Sequence, residues 1–194
     1  GKTHTGGHMI CELVRQGKKV GIVANGHEVI RNLLNKVIEV AVETDTPLIC
    51  IQKPKGGSKE DATDRLRFAK KGNAEIFAAL NADCSVAGGT AWLWSTADAF
   101  DTLDVLFVDE AAQISLANVL AVSQAAKTLV LLGDPQQLDQ PMQGSHPDGT
   151  DCSALDHLLS GKQTIASDEG LFLDVTWRLH PDICAFTSEL FYEG

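Results

Sequence analysis

The chain has 194 residues, 44% of them hydrophobic, enough to bury one sizeable core, so one domain with a piece of a second is expected. No apolar run approaches ~18 residues and no signal-peptide pattern opens the chain, which points to a soluble, cytoplasmic protein with no membrane partner. A net charge of −10 and a pI near 4.9 argue against a globally basic nucleic-acid binder, although a groove can be locally basic on an acidic body. Cys11, Cys50, Cys84, Cys152 and Cys184 are odd in number and scattered, which argues against a disulfide frame or zinc site and for reduced thiols.

Gly1-Lys2-Thr3 leads into an amphipathic helix over residues 3–16, with Met9, Ile10, Leu13 and Val14 on one face. GKT before a helix is the end of a phosphate-binding loop, G-x-x-x-x-G-K-[ST], whose leading residues would precede Gly1. With no initiator Met either, the chain is expected to be a fragment. In such a loop the lysine neutralises the β- and γ-phosphates, the hydroxyl ligates Mg²⁺, and the helix N-terminus adds its dipole and free N–H groups. His4 and His8 have no third ligand nearby and read as helix-surface residues. Gly17 breaks the helix before an apolar strand at residues 20–24, the helix-to-strand half of a βαβ unit.

That strand runs into Asn25-Gly26-His27 and an amphipathic helix reaching about residue 42. A polar turn at a strand's C-terminal end lies on the ligand side of a parallel sheet, and Asn25 reads equally well as a helix cap. Residues 47–52 form a short strand. Residues 53–71 carry seven basic side chains against Glu60, Asp61 and Asp64 and read as a solvated loop and exposed helix. A helix at 74–81 precedes a strand at 83–90 that ends in Gly88-Gly89-Thr90. Trp92 and Trp94 are expected to pack in the core, with stacking on bases as the alternative.

Residues 105–108 form a buried strand with Asp109 and Glu110 at its C-terminal end, in the crevice where open α/β sheets bind ligands. Adjacent acids there suit phosphoryl transfer: one holds Mg²⁺ through water, the next accepts a proton from an attacking water. Ser115 caps a helix through residue 124, and the strand at 128–132 ends in Gly133-Asp134-Pro135-Gln136-Gln137. Four strand ends thus carry polar groups, at Asn25, Thr90, Asp109 with Glu110, and Asp134 with Gln137, as at an active-site edge. A Gly/Pro-rich loop at 142–150 and a short helix at 154–159 precede a last strand at 172–177, which ends in Trp177-Arg178-Leu179-His180-Pro181. Pro181 opens a helix to residue 191, and Arg178 reads as an ion-pair residue or as a guanidinium aimed at a transferring phosphate.

GKT, VDEAAQ, GDPQQLDQP and WRLHP with FTSELFYEG, in this order, resemble motifs I, II, III and IV of superfamily 1 helicases. More narrowly they resemble the subgroup of the nonsense-mediated-decay helicase and the Okazaki-fragment helicase–nuclease. Within it, AGGTAWLWS and SHPDGTDCSALDHLL look most like bacterial members, some fused to a RecB-like nuclease domain. The resemblance covers essentially the whole chain. It implies an α/β, RecA-like P-loop NTPase domain with a mostly parallel sheet over residues 1–165, and the first strand and helix of a second RecA-like domain over 166–194. It further implies ATP and Mg²⁺, a single-stranded nucleic-acid track (DNA ahead of RNA), and movement from 5′ to 3′ driven by the two domains.

Residue by residue, Gly1, Lys2 and Thr3 match the P-loop, with Lys2 on the phosphates and Thr3 on Mg²⁺. Asp109 matches the Mg²⁺-coordinating acid and Glu110 the general base. Gln137 matches the glutamine that senses the γ-phosphate, and Arg178 the arginine supplied across the cleft from the second domain. Asn25 and Thr90 match motifs Ia and Ic, which touch the sugar-phosphate backbone. The strand before the loop, the adenine-reading segment and motifs V and VI are absent from the sequence, and motif III reads LDQP where relatives often have LPP. Residues 1–194 alone are therefore not expected to translocate. A P-loop ATPase that switches without translocating, and a non-enzymatic nucleic-acid-binding module, are the alternatives.

Overall fold

Among the described residues, short aliphatic runs bounded by glycine and polar turns build six strands: β1 (Val20–Val23), β2 (Cys50–Gln52), β3 (Leu66–Phe68), β4 (Val86–Gly88), β5 (Leu103–Asp109) and β6 (Ala126–Leu132). The computed structural model describes residues 1–56, 62–137, 147, 150–176 and 179–192. Every strand pair is parallel, in the order β3-β2-β4-β1-β5-β6. Among the described residues the helices are α1 (Lys2–Arg15), α2 (His27–Glu43), α3 (Asn73–Ala82), α4 (Ala91–Trp94), α5 (Leu116–Ser123), α6 (Ala154–Leu159) and α7 (Pro181–Phe191). This is the α/β architecture expected, and an all-parallel six-stranded sheet is consistent with a RecA-like domain.

A parallel sheet must be covered on both faces, because its crossovers carry helices to either side. Val20, Ile22, Val86, Val105 and Phe107 face α1 and α2, meeting Ile10, Leu33 and Val37. Val23, Ala87, Leu106 and Val108 face the other way, onto α3 to α6 through Ile76, Leu80, Trp94, Val119 and Leu155. Helix α1 carries two buried glycines, Gly6 and Gly7. Glycine costs a helix interior roughly 0.5–1 kcal/mol relative to alanine. The close approach explains it: a Cβ on Gly6 would lie 2.8 Å from Leu132 Cδ1, at the end of β6. The contact brings the start of α1 down onto the C-terminal edge of the sheet. Gly21 does the same for Trp94, since a Cβ there would meet the Leu103 and Leu106 side chains at 2.3 and 2.8 Å and the indole at 3.3 Å.

Ser115 and Ser153 cap α5 and α6, their hydroxyls accepting from the amides of Asn118 (3.3 Å) and Asp156 (3.0 Å). None of the five cysteines is in a disulfide, and burial pushes the Cys11, Cys50 and Cys84 thiols up. Among the described residues no helix is long and apolar enough to cross a membrane.

Three expectations are corrected. The segment at 53–71 is not only loop and exposed helix: Leu66–Phe68 forms β3, with Leu66 and Phe68 turned inward and Arg67 outward onto Asp83 at 2.8 and 2.7 Å. Three residues among many charges give too little alternation to read as a strand. The strand expected at 172–177 is not formed over its described residues, 172–176, which are exposed and lie outside the six-stranded sheet. A strand needs an edge to hydrogen-bond with, and composition alone does not supply one. Finally, Trp94 packs in the core but Trp92 is 86% exposed. The loop at 142–150 lies largely outside the described residues, as do Trp177 and Arg178.

Candidate active site

The registers Ile22↔Gly88, Val23↔Val108 and Asp109↔Leu132 align the ends of four adjacent strands, so the loops that follow them form one continuous edge. Asn25, Thr90, Asp109 with Glu110, and Asp134 with Gln137 all stand on it, as expected.

At its centre, Lys2 Nζ donates to Glu110 Oε2 at 3.1 Å, an ion pair spanning 108 residues of sequence, with side chains about a quarter exposed (28% and 27%). The first turn of α1 stands beside the end of β5, and Gly6, one turn on, lies close against Leu132 at the end of β6. Thr3 is half-buried on that turn, and Gly1 is exposed before it. Asp109 is only 4% exposed. Burial pushes its carboxyl above the ordinary value of 3.8, opposed by the Glu110 amide, which donates to Asp109 Oδ1 at 3.0 Å, and by Lys2. Glu110 itself has φ 53° and ψ 47°, the left-handed region that disfavours residues with a Cβ. Strain of this kind persists where the surroundings hold it, and here the conformation turns the glutamate toward Lys2.

On one flank, Gly133 leads into a turn in which Asp134 Oδ1 accepts from the Gln136 amide at 3.0 Å and Asp134 O from the Gln137 amide at 3.1 Å, leaving Gln137 exposed. The Tyr192 hydroxyl donates to the Asp134 carboxylate, 2.9 Å from either oxygen, and links the end of α7 to this turn. Burial, and then the bond to Asp134, push the Tyr192 phenol up to about 12.

On the other flank, Asn25 Nδ2 donates to Gln113 O at 2.5 Å. The loop it occupies is pinned from β2: buried Gln52 donates to His27 O at 3.0 Å, and the His27 ring meets Lys53 O at 3.0 Å. Asn25 therefore does not cap α2; Gly26 is the N-cap. Thr90, half-buried, is the N-cap of α4, with Gly89 bonded through its amide to Ile22 O at 3.0 Å. Lys53 follows β2 and bonds Asn73 through its amine. His4 and His8 lie exposed on α1, their Nε2 atoms 3.3 Å apart. Arg178 lies outside the described residues.

The structure thus brings Lys2 and Glu110 into contact and places Asn25 and Thr90 on neighbouring strand ends. Sequence reading missed Tyr192, the left-handed Glu110 and the outward Trp92. For the last there was a signal: residues two apart on a helix point about 200° from one another, so both indoles cannot enter one core.

No protein-family model matches the chain. It is similar to Probable helicase MAGATAMA 3 of Arabidopsis thaliana, 31% identical over 148 residues, which are 74% of this chain and 16% of that protein. It is 33% identical over 92 residues to 5'-3' DNA helicase ZGRF1 of Mus musculus, covering 46% of this chain and 5% of the relative. Helicase sen1 of Schizosaccharomyces pombe is 28% identical over 138 residues, 71% of this chain and 8% of its own length. The chain spans about a sixth or less of the length of each of these relatives. With the parallel sheet and its polar edge, these likenesses support a superfamily 1 helicase.

Proposed function

We propose that this chain is the nucleotide-binding part of an ATP-dependent motor that moves along single-stranded nucleic acid. The observation that carries the reading is the Lys2–Glu110 contact at 3.1 Å beside buried Asp109 on a strand's C-terminal end. A cation, a buried acid and a second acid converge where a phosphate chain, its metal and an attacking water would meet.

Lys2 holds the phosphates, with Gly1 before it at the start of the helix. A lysine drawn onto phosphate leaves Glu110, whose carboxylate is then free to accept the proton of a water attacking the terminal phosphate. Asp109 and Thr3 fit Mg²⁺: a buried carboxylate that is costly to ionise is stabilised by a divalent charge, and a hydroxyl stands at the helix start. Among the described residues no three His, Cys, Asp or Glu side chains cluster for a metal, so water and phosphate oxygens would complete the shell. Magnesium bound there would supply charge neutralisation on the phosphates. Gln137 reads the terminal phosphate, and Arg178 completes the site from a second RecA-like domain that begins in residues 166–194. The Tyr192–Asp134 bond supports this coupling, since it ties α7 to the turn bearing Gln137. Asn25 and Thr90 hold the sugar-phosphate backbone. The name of the mouse relative, 5'-3' DNA helicase, supports DNA as the track and 5′-to-3′ movement. AGGTAWLWS and SHPDGTDCSALDHLL resemble bacterial members of the subgroup, some of them fused to a RecB-like nuclease, and carry the proposal of an attached nuclease domain.

The test is ATP hydrolysis by the full-length protein that contains this chain, with and without single-stranded DNA or RNA. Stimulation by one strand type supports the motor and names its track; turnover indifferent to both indicates a switch ATPase, and none indicates a binding module. Glu110→Gln is expected to cut turnover by about a hundredfold or more while nucleotide binding persists. Lys2→Ala should weaken both.

A further inference from the structure

Among the described residues, the most exposed large hydrophobic side chain is Trp92. Burying an indole is among the largest apolar gains open to a residue, and Trp94, two positions on, takes it. Trp94 is fully buried, its Nε1 donates to Ile22 O at 3.0 Å, and its ring stands edge-on to Phe77 at 6.3 Å between centroids. Leu93 is buried beside it, so α4 is locked to the sheet. That lock holds Trp92 outward on the same turn, 86% exposed and two residues beyond Thr90.

The position matters more than the exposure. Thr90 caps α4 at the end of β4, Asn25 follows the end of neighbouring β1, and Lys53 follows β2 on the other side of β4. The charges at the acidic centre, Asp109 and Glu110, follow β5, beyond β1. Acidic Asp98 and Asp101 are carried off to the opposite edge: Thr96 O already accepts from Gln124 Nε2, and the Asp101 amide donates to Gln124 O just before β5 begins. Trp92 therefore stands on the strand-end edge away from Asp109 and Glu110, next to Thr90 and with Asn25 and Lys53 after the flanking strands, while the nearest acids on that side are Glu28 and Glu75 in the first turns of α2 and α3.

We propose that Trp92 is a stacking platform for a base of single-stranded nucleic acid, seated by the backbone contacts of Asn25 and Thr90. This rests on the motor reading above and deepens it. Stacking suits a translocating protein because every base offers a π-face, so grip does not depend on sequence. Because Leu93 and Trp94 lock α4 to the sheet, the backbone that carries Trp92 has little freedom left to lose when a base lands on the indole.

The experiment measures equilibrium binding of oligothymidylate of about 12 nucleotides by the full-length protein, its Trp92→Ala and its Trp92→Phe variants. A same-length oligomer carrying abasic sites is the control. Trp92→Ala should bind oligothymidylate roughly 5- to 150-fold less tightly, the range for loss of one base–aromatic stack, and Trp92→Phe should lose less. On the abasic oligomer the wild type and Trp92→Ala should bind alike, because the backbone contacts remain. Thermal unfolding of both variants should match the wild type. If Trp92→Ala binds oligothymidylate as the wild type does, while that strand still stimulates ATP hydrolysis, the stacking proposal falls and the motor reading stands. If the loss is equal on the abasic oligomer, or if the thermal transition drops, Trp92 supports structure and the proposal falls. If the wild type neither binds nor responds to any single strand, the motor reading itself fails and takes the stacking proposal with it.

Discussion

Asp109 shows how a single residue joins stability to chemistry. Burial raises its folded-state pKa above the ordinary 3.8, so the folded chain binds this proton more tightly than the unfolded chain. The corresponding stability is fully present below the unfolded value and is lost as pH rises through the folded one. At neutral pH the ionised carboxylate is therefore a net cost. Asp109→Asn should unfold at a higher temperature than the wild type at pH 7, and the difference should shrink as pH falls toward 3.8, as calorimetry at the two pH values would show. The same substitution removes the charge that suits a divalent metal, the usual conflict between a stable site and an active one. Glu110, left-handed and paired with Lys2, lies next to it. Its identity was legible in the sequence, whereas its backbone conformation and its partner 108 residues away were not.

Among the elements, α4 carries a sharp contrast between two identical side chains. Trp94→Ala empties a fully buried, hydrogen-bonded indole site and should cost about 3–5 kcal/mol in denaturant unfolding. Trp92→Ala should change stability by no more than about 0.5 kcal/mol, as expected of an exposed position. Local signals worked where capping or long periodicity was present. Ser115 caps α5, Pro181 opens α7, and the 17-residue amphipathic α2 lies where its apolar spacing placed it. Ser115→Ala should lose about 1 kcal/mol. They failed at β3, three residues long, whose strand state comes from pairing with β2, and at 172–176, apolar enough for a strand but outside the sheet.

At the scale of the whole molecule, the sheet and its two helical layers hold the buried core, while α7 buries no residue. Residues 171–176 before it are exposed throughout. Hydrogen exchange should therefore find the slowest amides in β1 and β5 and near-solvent rates in α7. Removing residues 166–194 should lower the melting temperature of the rest by no more than about 4 °C, equivalent to about 1 kcal/mol for a chain of this size. A larger drop would show that the Tyr192–Asp134 link, or contacts outside the described residues, carry more stability than burial indicates.

The amino-acid sequence by itself determined the α/β class, most helices, and which residue types stand at four strand ends, because these depend on apolar period, caps and breakers within short windows. It left open which strands are neighbours, and so whether Asn25 and Thr90 would stand on adjacent strand ends, or Lys2 and Glu110 would meet. Strand order, the approach of α1 through Gly6, the left-handed turn at Glu110 and the choice between two tryptophans were decided by tertiary packing. The physical reason is common to all four. Each depends on which side chain claims a shared, close-packed volume, and that competition involves residues distant in the chain.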